Sequence, residues 1–277
     1  MTNAAPDQAV DWATAFDHTK ENYAAVAPAV WDELRGTCPV AHSDAHGGVW
    51  LPTRHADVSA IAHDTDNFSS EGVVVNAFKP LGLAPMGYAP PITSDPPFHA
   101  EARRMLLPAF SPKEISRRED STRATCNELI DELLASGSSV VDAANDYAQH
   151  IPVRVIAEML GLPSEDGDKF RTFIHRILEK PGESINLPYE ETLVYYLVQF
   201  LTKRRAGPHK DDLTGFLLST ENNGVPLTDE HIFGTIALLL IAGIDTTWSA
   251  IGASLWHLAH HPEDRRRLIA EPELVPF

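Results

Sequence analysis

Apolar residues recur every three to four positions through most of this chain, a period that predicts helices. One helix is expected over 98–109. Another spans 118–134, with Cys126, Leu129, Ile130, Leu133 and Leu134 along one face. A third runs over 143–160, broken at Pro152, with Val153, Val155, Ile156, Met159 and Leu160 turned inward and Gly161 as its C-cap. Helices over 166–179 and 190–205 follow. The second of these places Leu193, Val194, Leu197, Phe200 and Leu201 inside, and Lys203, Arg204 and Arg205 at its end, where cations suit the helix dipole. Strand signals are few. Val49-Trp50-Leu51-Pro52 after Gly47-Gly48 reads as a short strand, and 57–62 as a short helix with Val58, Ile61 and Ala62 on one face.

The longest pattern begins at Thr228, an N-cap followed by Asp229 and Glu230 in the first turn. No proline intervenes before Pro262, and from Ile236 to Ile244 the helix is apolar all round. Such a helix lies in the core of a large domain. Asp245 ends the apolar run short of the roughly 20 residues that a bilayer span needs, so no membrane partner is expected. Residues 69–94 keep no period and are rich in Gly, Pro and small apolar residues. They read either as an irregular surface loop or as a loop folded over a pocket.

Composition narrows the partners. Acidic residues outnumber basic ones by 39 to 22, and a net charge of −17 disfavours nucleic acid and anionic lipid. Only Cys38 and Cys126 are present, with no zinc or disulfide spacing, and the polar N-terminus carries no signal-peptide core. A cytoplasmic protein is expected. At 277 residues the chain is read as one mainly α domain with a small β-sheet.

The chemistry concentrates in Ala242-Gly243-Ile244-Asp245-Thr246-Thr247. A mid-helix glycine costs about 1 kcal/mol relative to alanine, and a buried unpaired carboxylate costs more. Two accounts fit. One is helix packing at Gly243 with a hydrogen-bonded structural Asp245. The other is a helix passing a flat ligand, with small residues admitting it and the Thr246 hydroxyl and Asp245 carboxylate handling protons. Asp95-Pro96-Pro97-Phe98-His99 with Arg103 forms a second cluster, and the spacing puts His99 and Arg103 on one helix face. That pair is either an ordinary surface pair or a two-donor seat for a carboxylate.

Both segments resemble cytochrome P450 of the soluble bacterial type. Ala242, Gly243, Asp245, Thr246 and Thr247 match the family's oxygen-binding signature, and Asp95, Pro96, Pro97, His99 and Arg103 match its haem-propionate motif. Weaker matches include 156–163, Leu227-Thr228-Asp229-Glu230 and Leu258-Ala259-His260-His261-Pro262. The resemblance implies a cytochrome P450-like fold and a haem b monooxygenase that adds one oxygen atom of O2 to a small apolar substrate by hydroxylation or O-demethylation. Electrons would come from NAD(P)H through a ferredoxin or flavodoxin and its reductase. Arg104, Lys113, Arg117 and Arg118 are the candidate docking patch for that partner.

The resemblance also assigns roles. His99 and Arg103 would hold a haem propionate, and Ala242, Gly243, Thr246 and Thr247 would line the haem. Thr246 and Asp245 would deliver protons. Substrate contacts would come from Val74, Val75, Phe78, Ile92, Ile174, Leu178, Leu238, Ile241 and Ala242. No metal ligand is assigned within the chain. The family's Glu-x-x-Arg helix and its thiolate cysteine are expected beyond Phe277, so the chain by itself would be inactive. The competing class is a non-catalytic helical fragment that binds a ligand or partner. A magnesium-dependent isoprenoid-type enzyme using Asp211 and Asp212 lacks the further aspartate it would need.

Overall fold

A computed structural model describes residues 11–18, 20, 23–72, 88–179 and 187–275. Backbone contacts divide the chain into two units, Met1–Leu83 with Pro91–Ala100, and Ala84–Pro90 with Glu101–Phe277.

In the first unit, helix α1 (Tyr23–Thr37) precedes strands β1 (Val40–Ser43) and β2 (Val49–Pro52) and helix α2 (His55–His63). The strands pair antiparallel with Ala41 opposite Leu51, across the turn that Gly47-Gly48 predicts. Alternation buries Ala41 and Leu51 with Phe16, Val30 and Leu34. The Phe16 ring lies 5.3 Å from that of Trp31, and Ser43 Oγ donates to Phe16 O at 3.0 Å. The expected apolar face of α2 is left uncovered: none of its residues is buried, and Val58 is exposed.

Helix α3 (Phe98–Leu106) carries the chain from the first unit into the second. There follow α4 (Pro112–Ser116), α5 (Glu119–Ala135), a π-helical segment Ala143–Ala148, α6 (His150–Leu160), α7 (Gly167–Ile174), α8 (Leu193–Ala206) and α9 (Leu213–Ser219). A hairpin of β3 (Glu221–Asn222) and β4 (Val225–Pro226) leads to α10 (Asp229–His260) and α11 (Pro262–Ala270).

Several boundaries follow from local chemistry. Thr228 caps α10 by accepting from His231 N at 3.2 Å. Gly161 closes α6 at φ 66°, a left-handed conformation that a side chain disfavours. Pro152 does not break α6. It sits in the first turn, where its missing N–H would have had no helical acceptor, and the break falls earlier, at Gln149. On α5 only Leu129 is buried, while Ile130 and Leu134 stay exposed.

α10 is the axis of the second unit and packs on α6, α7, α8 and α9. Ile232, Ile236, Leu240 and Ile244 on α10 are fully buried with Leu160, Phe170, Ile174, Leu197 and Leu217. By length and composition α10 is apolar enough to cross a bilayer, which revises the expectation from Asp245. Its first half is nevertheless covered by protein. Arg204 grips Asp212 through two hydrogen bonds of 3.0 and 2.8 Å, and Asp212 also accepts from Gly215 N at 2.8 Å to cap α9. That carboxylate is fully engaged, which removes it from any magnesium site.

Candidate functional site

The first half of α10 is fixed from outside. Thr235 Oγ1 donates to Pro90 O at 3.1 Å, and Tyr88 packs edge-on to His231 with ring centres 6.4 Å apart. Along the same face, about two to five turns further on, Ala242, Thr246, Ser249, Ala250 and Ala253 are all exposed. This strip is low in relief, because no side chain on it is larger than threonine. Thr246 Oγ1 donates to Ala242 O at 2.8 Å, so its lone pairs face solvent and can accept from water.

Gly243 points elsewhere. A Cβ at this position would lie 3.1 Å from Ile156 Cγ1 of α6, so the absent side chain permits helix contact. The packing account therefore holds for Gly243, and its place among the haem-lining residues is corrected. The expected burial of Asp245 and Thr246 is also corrected: Asp245 is half-buried and Thr246 exposed, as is Thr247. Their helix turn leaves the packed core just after Ile244, which is fully buried. Asp245 makes no hydrogen bond or ion pair among the described residues, so the structural-aspartate account is not supported.

His99 and Arg103 stand one turn apart on α3, His99 half-buried and Arg103 exposed. Arg103 has no acidic partner among the described residues. Asp95, quoted in the motif without a role, takes one: Ser69 Oγ donates to it at 2.6 Å and Ser70 N at 2.8 Å. These two hydrogen bonds hold its carboxyl below the usual range and tie the end of one loop to the start of α3. Nothing in the sequence signalled the serines as its partners.

The substrate candidates separate. Ile174 is 0%, Ile241 3% and Leu238 6% exposed, so they are core residues rather than pocket walls. A side chain lining an open pocket would show accessible surface. Ile92, Leu178 and Ala242 are exposed, whereas Val74, Val75 and Phe78 lie outside the described residues. A cleft of about 790 Å³ does open beside the second half of α10, against Trp248, Ser249 and Gly252, with Ala148, Arg171 and His175 opposite. None of the substrate candidates lines it.

Of the docking arginines, Arg117 is paired with Glu114 at 2.8 Å and Arg118 with Glu158 at 3.0 Å. Only Arg104 and Lys113 lack an acidic partner among the described residues. The Thr246 hydroxyl on α10 and, separately, the nitrogen donors of His99 and Arg103 on α3 are of the kinds that an oxygen-side face and a propionate seat need. No sulfur ligand is among them. Cys38 Sγ contacts Val40 O at 3.5 Å, and Cys126 on α5 lies against Tyr147, whose hydroxyl is pushed up to about 12 by burial and by that thiol.

The cytochrome P450 family model matches residues 165–275. Mycinamicin IV hydroxylase/epoxidase of Micromonospora griseorubida is 30% identical over 251 residues, covering 89% of this chain and 62% of the relative. Vitamin D(3) 25-hydroxylase of Pseudonocardia autotrophica is 32% identical over 238 residues, covering 83% and 56%. Among solved structures, cytochrome P450 CYP109Q5 from Chondromyces apiculatus superposes with a TM-score of 0.73 at 29% identity, over 95% of this chain and 66% of that one. The Mycobacterium marinum cytochrome P450 CYP268A2, solved with pseudoionone, gives 0.73 at 26% identity, over 91% and 64%. The chain thus spans about three-fifths of the length of the curated relatives it matches.

Proposed function

The chain belongs to the cytochrome P450 family, and from that premise we propose that it is the oxygen-side portion of a haem b monooxygenase acting on a small apolar molecule. The observation that carries this reading is the exposure of Ala242 and Thr246, one turn apart, where α10 leaves the core that buries its first half. Haem, when bound through a thiolate, supplies the redox chemistry that uses O2, two electrons and two protons to put one oxygen atom into substrate and the other into water.

The chain's own residues then act as follows. His99 and Arg103 present nitrogen donors on one face of α3 and hold a propionate carboxylate. Ala242 admits the flat edge of the cofactor. Thr246 Oγ1 keeps its proton on Ala242 O and accepts from an ordered water, which positions that water to pass a proton onward. Asp245, half-buried and without a partner among the described residues, takes protons from bulk water and resupplies that ordered water. Ile92 and Leu178, with residues 74, 75 and 78, remain the proposed apolar contacts to substrate. An aromatic ether undergoing O-demethylation fits such a surface. Electrons pass from NAD(P)H through a reductase and a ferredoxin or flavodoxin, with Arg104 and Lys113 as the docking charges. A cytoplasmic location is part of the same reading.

Two measurements test it. The reduced protein exposed to carbon monoxide should give the red-shifted Soret band of a thiolate-ligated haem in a gene product extending past Phe277. No haem uptake by either that product or this chain would sink the proposal and leave a helical ligand-binding fragment. In the competent enzyme, Thr246→Ala should divert reducing equivalents into hydrogen peroxide. Unchanged coupling would remove Thr246 from the proton path.

A further inference from the structure

Outside the proposed haem face, histidines gather where α10 gives way to α11. His257 lies in the last turn of α10, His261 is its C-cap, and Asp264 lies in the first turn of α11. The corner is fixed by backbone. His261 N donates to His257 O at 2.9 Å and Arg265 N to His261 O at 3.2 Å, while Pro262 opens α11 at its first position. The spacing of His257 and His261 stacks their rings, with centres 4.2 Å apart. His257 Nε2 lies 2.8 Å from Asp264 Oδ2.

We propose that His257, His261 and Asp264 form a site for a divalent transition metal of the zinc class. One ligand atom from each residue lies within 4.8 Å of the other two. Zinc bonds of about 2.0–2.2 Å need donors roughly 3.5 Å apart in a tetrahedron, so small side-chain rotations close the site. Two imidazoles and one carboxylate suit zinc better than calcium or magnesium, which prefer oxygen donors.

The surroundings favour a cation. His261 Nδ1 lies 3.4 Å from Glu263 Oε1, an outer carboxylate able to orient the ring for binding through Nε2. The carbonyl end of α10 adds negative potential at the same corner. Of the three arginines that follow Asp264, Arg266 donates to Pro262 O and Arg267 to Glu271, and none of the three pairs with Asp264 among the described residues. The ligands are partly exposed, and three of them leave a fourth position for water. Bound metal would clip α10 to α11.

The test needs no haem, so its result is independent of the monooxygenase reading. Zinc is titrated into the full chain by calorimetry, and cobalt is titrated as an optical probe. One saturable zinc site is expected, with visible ligand-field bands for cobalt and a zinc-dependent rise in melting temperature. His257→Ala and His261→Ala should each weaken zinc binding at least about tenfold and abolish the cobalt bands. Asp264→Asn should weaken both. His260→Ala is the control, because that ring packs on Trp256 and its Nδ1 meets Trp256 O at 2.8 Å, so affinity should stay unchanged. Circular dichroism confirms that each variant is folded. Absence of saturable zinc uptake by the folded chain, or equal affinity in His257→Ala and His261→Ala, would overturn the proposal.

Discussion

The two halves of α10 both carry large apolar residues and have opposite fates. From His231 to Leu238 every residue is buried, and Leu240, Ile241 and Ile244 complete the packed stretch. From Thr246 to His260 no residue is buried, although Trp248, Ile251, Leu255, Trp256 and Leu258 are apolar. The unbroken apolar run ends at Asp245, yet the second half still carries these large apolar side chains without burying them. The facing surface also differs: Thr235 meets Pro90 and Gly243 meets Ile156 of α6, while an open cleft flanks the second half. A helix whose exposed half keeps small residues in register along one face has a surface suited to a broad, flat partner, and that contrast underlies the functional proposal.

The contrast can be broken by substitution. Ile236→Ala, in the fully buried half, should cost about 2–5 kcal/mol in urea unfolding of the chain. A loss below about 1 kcal/mol would mean that this half is not packed as described. Gly243→Val, at the border, should cost about 1–3 kcal/mol because its branches meet Ile156. Combining it with Ile156→Ala should recover part of that loss, and strict additivity in the double-mutant cycle would deny the contact.

A smaller effect is expected from pH. Burial holds His231 below the usual histidine range, and burial followed by the Arg171 charge does the same for His150. Above about pH 6.5 both states are neutral at these groups and the stability is fully present. As the pH falls through the window below that value, the unfolded chain takes up protons that the folded chain resists, so stability is lost toward the lowered folded values. His231→Asn should flatten the slope of stability between pH 7 and pH 5. A slope as steep as wild type would show that the helix start is wetter than its burial indicates. Smallest of all, Trp256→Ala in the exposed half should change stability by no more than about 0.5 kcal/mol, read from the shift in melting temperature.

Legibility followed the range of the interaction. The Thr228 cap, the Gly161 cap and the exit at Pro262 are local signals, and each stands where its chemistry predicts. The β3–β4 hairpin had a local signal too, Asn223-Gly224, with positive φ at both residues, and the periodicity reading passed over it. The Asp95 clamp on Ser69 and Ser70 had no such signal, because its partners are 26 and 25 residues away.

The sequence by itself determined the mainly helical class, the long α10, the family, and which residues carry polar chemistry, since periodicity, caps and motifs are written over short spans. Only the tertiary structure decided that Gly243 serves Ile156, that Ile174, Leu238 and Ile241 belong to the core, and that Ala242 and Thr246 face outward. The physical reason is that burial is a property of what lies opposite a side chain. Thr235 meets Pro90 across 145 residues of chain, and no periodicity records that distance.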